Sequence, residues 1–306
     1  MKLIDIDAYP VKDVINMLLK DKTTKKNIIF ATEAYTEIGI DSKSQITEDV
    51  LWGLHELSLQ PRVLKSMEEQ SERTRKKAEV FTPSWICNKM NNHCDAEWFG
   101  RENVFNEETE HTWKVNHNKI TFDKADDWKR YVDSKRLEIT CGEAPYIVSR
   151  YDTTTAEIIP IEERIGILDR KLRIVNENVE VEDEWIDWTY RAFQSVYGYE
   201  FQGDNLLIAR INLLNTFVDY IKARLNRLPT DDELKKTTDI IVWNLWQMDG
   251  ITGTIPYSKP KDDNNQIDMF DYMVGINDTE EEEVDCKIYD WRSDKAVSYK
   301  SIRENR

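Results

Sequence analysis

The residues with the clearest chemical potential stand at the ends of two predicted buried strands. Residues 136–148, with the sequence RLEITCGEAPYIV, predict a short strand, a tight turn at Gly142 and a helix that begins at Pro145. A turn of this kind directs main-chain N–H groups and the positive end of a helix towards one point, where α/β proteins hold charged cofactors. The stretch therefore predicts a binding site for a charged cofactor.

The second strand is predicted over residues 195–200, with the sequence SVYGYE, and an amphipathic helix follows over residues 204–214. Its last residue, Glu200, carries two acceptor oxygens, so one side chain can accept hydrogen bonds from both ribose hydroxyls of a nucleoside cofactor. A helix over residues 231–239 leads into the apolar run 240–250. That run predicts a third strand with Asp249 at its carboxyl end, although its Trp spacing also allows a helix.

The amino-terminal third of the chain predicts mostly helices. Two amphipathic segments within residues 11–39, joined by a lysine-rich corner, are followed by a helix over residues 63–77. We therefore predict a helical N-terminal region over residues 1–78 and a second domain over residues 79–306. Thr82 and Pro83 suit the N-cap and the first position of the helix that opens the second domain.

The rest of the second domain alternates helices with irregular segments. Apolar periodicity predicts helices near residues 167–175 and 184–193. The interval at about residues 258–284 is strongly acidic and predicts a mobile loop. A last strand is predicted over residues 284–292, with only a short tail after it.

Composition bounds the function. The chain has 306 residues, a formal net charge of -16 and 40% hydrophobic residues, which is enough for a substantial core and argues against a surface wholly given to nucleic acid. Four cysteines without a C-x-x-C motif, and four histidines, support neither a disulfide framework nor a metal site. We expect a cytoplasmic protein without a membrane partner, because we find no signal peptide and no long apolar run.

Three features now stand in one order along the chain: Phe81-Thr82-Pro83 opening a helix, the Glu138 turn, and the Glu200 strand with an Ala-Arg-x-Asn-Leu-Leu helix behind it. Together they resemble the adenine-N6 DNA methyltransferases of the class that includes the modification subunits of type I restriction systems. The family's cofactor fingerprint is acid-Pro-x-Cys-Gly-Ser-Gly, and residues 138–144, with the sequence EITCGEA, look like a variant of it. The resemblance covers about residues 79–250 and implies a Rossmann-like α/β core that binds S-adenosylmethionine.

The resemblance also implies a role for individual residues. Those that would line the S-adenosylmethionine pocket are Phe81, Thr82 and Pro83. Those that would form the turn around its methionine end are Glu138, Cys141, Gly142 and Ala144. Glu200 would hold the ribose, and Asp249 would lie near the adenine amino group.

The departures from the family concern catalysis above all. The family uses a tetrapeptide of a polar residue, Pro-Pro and an aromatic residue to hold the extruded adenine, and this chain has no Pro-Pro. The nearest substitutes are residues 254–257 and 289–292, and we expect the second to act, with Asp290 as acceptor and Trp291 as stacking surface. The strands that normally follow are also missing. The core is therefore half of a split enzyme, a minimal variant, or a relative that keeps the fold without the reaction.

A second signal lies in the acidic loop. The residues that resemble the pentapeptide with which bacterial proteins dock on the replication sliding clamp are Gln266, Ile267, Asp268, Met269 and Phe270. The alternative is that their apolar side chains attach the loop to its own domain.

Three functions remain open. The first is an S-adenosylmethionine-binding relative of the DNA adenine methyltransferases that acts on DNA with a partner subunit or specificity protein. The second is a non-catalytic adaptor or inhibitor that acts on DNA-processing proteins, through the sliding clamp. The third is a different α/β enzyme with a nucleotide cofactor.

Overall fold

A computed structural model describes residues 2–53, 59–65, 82–258 and 284–304 and shows a mixed α/β protein. Its helices are α1 Val11–Leu18, α2 Glu48–Gly53, α3 Ser84–Phe99, α4 Asp127–Asp133, α5 Ile167–Asn178, α6 Glu182–Gln194, α7 Gly203–Leu225, α8 Asp231–Asn244 and α9 Tyr299–Glu304. Its strands are β1 Asn106–Thr109, β2 Thr112–Val115, β3 Arg136–Glu138, β4 Val196–Glu200, β5 Leu245–Gln247, β6 Lys287–Asp290 and β7 Lys295–Ser298. Among the described helices, none is long and apolar enough to cross a membrane.

The central sheet is parallel, with the order β3-β4-β5. Glu138 lies opposite Gly198, and Glu200 lies opposite Gln247, so the carboxyl ends of the strands meet at one edge of the sheet. Every residue of β4 is buried. Helices α5 and α6 connect β3 to β4, and α7 and α8 connect β4 to β5.

The third strand is shorter than the apolar run that predicted it. Helix α8 starts at a capping box, in which Thr230 Oγ1 accepts the Glu233 N–H and the Glu233 carboxylate accepts the Thr230 N–H. The helix then continues to Asn244, so residues 240–244 are helical and only Leu245–Gln247 form β5. The run, predicted as a strand or a helix, is a helix in its first part and a strand in the next.

The amino-terminal region is less helical than predicted. After α1 the main chain is largely extended or turned, and the N–H groups of Ile28 and Phe30 donate to the carbonyls of Leu19 and Ser44. Extended structure prevails here because Ile29 is bound through both of its main-chain groups by the side chain of Gln247. Of the predicted helix 63–77, residues 63–65 are described, and the first two of them belong to the 3-10 turn Arg62–Leu64.

Close backbone packing joins this region to the parallel sheet. The Gly203 N–H donates to the Phe30 carbonyl, and a Cβ at Gly203 would lie 1.9 Å from the Ile29 oxygen. The buried guanidinium of Arg210 on α7 donates to the carbonyl oxygens of Leu18 and Lys20. Residues 18–30 are therefore fixed against α7 and the end of β5.

The last described segment forms a hairpin instead of a strand of the parallel sheet. Strands β6 and β7 pair antiparallel with each other, Ile288 opposite Val297. The hairpin covers an apolar face of the parallel sheet, where Ile288 lies in one buried cluster with Tyr197, Tyr199 and Trp246.

Candidate functional site at the carboxyl edge of the parallel sheet

A cavity of about 860 Å³ opens at the carboxyl ends of β3 and β4. Its wall includes five of the residues predicted to bind the cofactor, namely Thr82, Glu138, Cys141, Gly142 and Glu200. Residues from α3 complete the wall on one side, and residues that follow β4 complete it on the other. The parallel arrangement thus brings together residues that lie more than a hundred positions apart in the chain.

The turn after β3 differs from the predicted strand-turn-helix. Thr140, Gly142 and Ala144 all have positive φ, at 46°, 53° and 63°, and residues 145–147 form a further turn instead of a helix. The carboxylate of Glu138 accepts the N–H groups of Tyr146 at 3.4 Å and Ile147 at 3.1 Å. Residues 136–148 therefore fold back on the acid at the end of β3, and the next α-helix begins only at Ile167.

Glu200 connects this turn to the second strand. Its Oε2 accepts the Gly142 N–H at 2.9 Å, and its Oε1 accepts the Gln202 N–H at 3.1 Å. A charged acceptor of this kind forms stronger hydrogen bonds than a neutral one. Glu200 therefore holds the ends of β3 and β4 together, in addition to lining the cavity where its predicted ribose partner would lie.

Burial changes the acidity of the groups around the turn. Withdrawal from water raises the pKa of Glu138 to about 8; the N–H groups of Tyr146 and Ile147 oppose the change and the negative charge of Glu200 adds to it. Burial, with the nearby charges of Glu138 and Glu200, also raises the pKa of the Cys141 thiol. At neutral pH the turn thus carries a protonated thiol and a mostly protonated carboxyl group.

Gly198 in the middle of β4 provides the space for Cys141. A Cβ at Gly198 would lie 3.2 Å from Cys141 Sγ, tighter than ordinary van der Waals contact. Cys141 is buried, and its N–H donates to the Tyr199 carbonyl at 2.8 Å. The thiol is thus packed between the turn and β4, which is the packing role that competes with its predicted role at the cofactor.

Glu143 occupies the position where the family fingerprint has Ser. Its Oε1 accepts the main-chain N–H of Arg62, and its Oε2 accepts the Tyr151 hydroxyl, both at 2.6 Å. The carboxylate therefore holds two segments from outside the turn against it. Ala144, where the fingerprint has its second Gly, is fully buried with positive φ.

The opening of α3 lies one residue later than predicted. Pro83 is the N-cap, and Ser84 is the first helical residue. The Thr82 carbonyl accepts the Thr153 hydroxyl at 2.7 Å, which fixes Thr82 in the cavity wall. Phe81 lies outside the described residues.

Asp249 is not among the residues that line the cavity. Its Oδ1 accepts the N–H groups of Ile251 at 2.8 Å and Thr252 at 3.4 Å, so the carboxylate is turned onto its own loop. The predicted contact with an adenine amino group would require this loop to change.

Asp290 and Trp291 lie at the opposite edge of the sheet. Asp290 accepts a hydrogen bond from Lys135, which precedes β3, and Trp291 Nε1 donates to Asn244, which precedes β5. The amino ends of the strands are therefore next to this pair. Neither residue is among those that line the cavity, which opens at the carboxyl ends of β3 and β4.

Sequence reasoning missed several residues of the cavity wall. Phe201 and Gln202 follow Glu200 directly and Asn205 lies in the first turn of α7, and this position close to a predicted ligand acid could have revealed them. Arg62 also lines the cavity, but it is distant in sequence and had no such signal.

Gln202 provides a sign of a ligand at this site. The residue is 5% exposed, and its Oε1 has no hydrogen-bond partner among the described residues. Leaving a buried acceptor without a partner costs about 1–3 kcal/mol. A ligand that donates a hydrogen bond would remove that cost.

The predicted clamp-binding segment and the acidic loop around it receive almost no structural description. The five residues of the clamp-like segment, 266–270, lie outside the described residues, as does most of the acidic interval around them. In the part of the chain that is described, no three His, Cys, Asp or Glu side chains are grouped so that they could hold a metal ion.

The chain was compared with known proteins in three ways. No protein-family model matches it, and no curated protein or solved structure shows significant similarity to it.

Proposed function

We propose that this protein is an S-adenosylmethionine-binding relative of the DNA adenine-N6 methyltransferases with a Rossmann-like core. The observation that carries the proposal is the convergence of Thr82, Glu138, Cys141, Gly142 and Glu200 on one cavity. The cavity lies outside the carboxyl ends of parallel strands, where open α/β sheets bind their ligands.

The chemistry of the wall suits the cofactor. S-adenosylmethionine presents an ammonium group, a sulfonium centre, two ribose hydroxyls and an adenine amine, which are cationic groups or hydrogen-bond donors. The wall offers as acceptors the carboxyl groups of Glu138, Glu143 and Glu200 and the Oε1 of Gln202, which no group in the described ranges binds. Arg62 and Arg136 line the same cavity and suit the cofactor's carboxylate.

Each residue would then have a distinct task. Glu138 and Gly142 shape the turn that receives the methionine end, and Glu200 accepts hydrogen bonds from the ribose hydroxyls. Gln202 accepts a hydrogen bond from another donor of the nucleoside. Thr82 closes the wall from the side of α3. The bound cofactor supplies an activated methyl group.

Delivery of the methyl group to DNA is proposed to need a partner chain. Methylation of a base in a duplex requires that the base be extruded and held next to the donor. Asp290 and Trp291, the residues expected to hold it, lie across the sheet from the cavity. A partner subunit would supply the missing acceptor and the reading of sequence.

Calorimetric titration with S-adenosylmethionine and S-adenosylhomocysteine tests the cofactor. We expect saturable binding of both, weakened about 100-fold in Glu200→Gln, since hydrogen bonds to a charged acceptor contribute about 1.5–3 kcal/mol each. Glu162→Gln, which changes an exposed glutamate outside this cavity, is the matched control. Absence of binding by both ligands would refute the proposal.

Transfer of a tritiated methyl group to unmodified DNA then distinguishes an enzyme from an adaptor. The assay is run on the full chain alone and with candidate partner chains added. Cofactor binding without transfer under either condition would support the non-catalytic function and exclude the enzymatic one for those partners.

A further inference from the structure

Glu138 is a carboxyl group of the cavity wall that forms no ion pair with any residue that the structure describes. Its two hydrogen bonds come from the neutral N–H groups of Tyr146 and Ile147. Within the described part of the chain, neither Arg62 nor Arg136 donates to it, although both line the same cavity. A carboxyl group withdrawn from water without a counter-charge favours its neutral form.

The groups that face Glu138 from the surrounding elements reinforce this preference. They are Cys87 from α3, Cys141 and Tyr146 from the turn, and Glu200 from the end of β4. Three of them are neutral at pH 7, and the fourth carries a negative charge of its own that raises the pKa of Glu138. None of these four groups is therefore positively charged, and a cationic ligand would be the first positive charge next to this carboxyl group.

We infer that the site binds ligands that carry an ammonium group in exchange for the Glu138 proton. The ammonium group enters the cavity as the counter-charge that the protein lacks, and the carboxyl group ionises and releases one proton to the solvent. No covalent bond between heavy atoms forms or breaks. The inference rests on the proposed function, and it adds that affinity for the amino-acid end of the cofactor is coupled to pH.

Of the three acids of the wall, Glu138 accepts the longest hydrogen bond. Its N–H donors lie at 3.4 and 3.1 Å, against 2.9 and 3.1 Å for the N–H donors of Glu200 and 2.6 Å for the Arg62 and Tyr151 donors of Glu143. Its ionised form is therefore the least stabilised by hydrogen bonds. For Glu138, burial raises the pKa to about 8, which lies above neutrality. Roughly nine in ten molecules therefore hold the proton at pH 7, from the ordinary titration relation.

Isothermal titration calorimetry in two buffers of different ionisation enthalpy measures the released protons directly. Three ligands are compared at pH 7: S-adenosylmethionine and S-adenosylhomocysteine, which carry the ammonium group, and 5′-methylthioadenosine, which lacks the amino-acid end. We expect release of about 0.9 proton with each of the first two and none with the third, in proportion to the neutral fraction of Glu138. Between pH 6 and 7, the affinity of the first two should rise about tenfold, while that of the third stays constant.

Two variants assign the proton. Glu138→Gln keeps one acceptor oxygen, which can accept the Ile147 N–H, and loses the longer contact with Tyr146. It should still bind 5′-methylthioadenosine but release no proton with any ligand. Glu162→Gln is the matched control and should release as many protons as the unsubstituted protein. If Glu138→Gln fails to fold, the three-ligand comparison on the unsubstituted protein still decides.

The outcomes separate the two proposals. Failure of all three ligands to bind would refute the proposed function. Binding of S-adenosylmethionine without proton release, or with release that persists in Glu138→Gln, would overturn the exchange and leave the proposed function intact.

Discussion

The two edges of the parallel sheet both carry buried polar side chains, yet they use them differently. At the amino edge, the buried ammonium group of Lys171 donates to the carbonyls of Val132 and Ser134 and to the Ser195 hydroxyl, so it connects the segments before β3 and β4. At the carboxyl edge, Glu138 and Glu200 accept main-chain N–H groups and also line a cavity. A buried polar side chain alone therefore does not identify a ligand site; its position next to open space does.

The largest expected loss of stability comes from a substitution at Gly203, next to the carboxyl edge. In Gly203→Ala the new Cβ would meet the Ile29 carbonyl oxygen at 1.9 Å, so two segments of main chain must separate. We expect a loss of more than about 3 kcal/mol of unfolding free energy, beyond the usual cost of an overpacked core site. Urea unfolding followed by circular dichroism measures it. Gly142→Ala is a contrasting variant, since open space surrounds its Cβ position and only its positive φ opposes the change.

Lys171→Met removes the hydrogen bonds of the buried lysine at the amino edge. The substitution removes the Lys171 donor from the partly buried Ser134 carbonyl and one of the two donors to the Val132 carbonyl, and a buried acceptor left unpaired costs roughly 1–3 kcal/mol. We expect a loss of about 3 kcal/mol in urea unfolding, with unchanged affinity of the folded protein for S-adenosylmethionine. A large change in affinity at protein concentrations where the variant is folded would contradict the separation of the two edges.

Glu138→Gln tests the carboxyl edge through pH. The pKa of Glu138 rises from 4.5 to about 8 on folding, so the ionised side chain opposes folding above pH 4.5 and the full penalty is present above pH 8. Relative to the glutamine variant, the unsubstituted protein should therefore lose stability as pH rises from 4.5 to 8. After allowance for the partial exposure of the side chain, we expect the variant to be more stable by about 2 kcal/mol at pH 9.

The corresponding measurement is urea unfolding of both proteins at pH 5 and pH 9. A difference below about 1 kcal/mol is expected at pH 5, where the folded-state group is protonated. Equal stabilities at both pH values would show that the Glu138 carboxyl group is not held away from water.

The smallest effect is expected for Asp290→Ala. Its ion pair with Lys135 is partly exposed on both sides, and such pairs contribute less than about 1 kcal/mol. Thermal unfolding should therefore change little, and titration with S-adenosylmethionine should give the same affinity. Loss of cofactor affinity in this variant would show that the amino edge also affects ligand binding, which would contradict the difference between the two edges.

Local patterns predicted the elements that bury a continuous apolar face. The fully buried strand at residues 196–200 and helices α5 and α6 appear where periodicity placed them. The carboxyl-edge position of Glu138 and Glu200 also followed from the sequence, because each acid lies at the end of a predicted strand and parallel strands end at one edge.

The failures lie where distant contacts decide local structure. Ile28 and Phe30 have an apolar pattern that also suits a helix, but the side chain of Gln247 binds the main chain of Ile29 and holds it extended. The expected helix at Pro145 is absent because the carboxylate of Glu138 takes the N–H groups of the following turn. The strand character around Asp290 was recognised, yet no local pattern could show that it pairs with β7 and not with the parallel sheet.

The contacts of Arg210 and Gln247 have a consequence for how the chain can be divided. They bind the carbonyl groups of Leu18, Lys20 and Ile29, which belong to the first thirty residues of the chain. A backbone cut introduced between Gly53 and Thr82 should therefore give two fragments that remain associated as a non-covalent complex. Produced separately, the larger fragment would expose the buried guanidinium of Arg210, and reassembly with the smaller one would restore its partners.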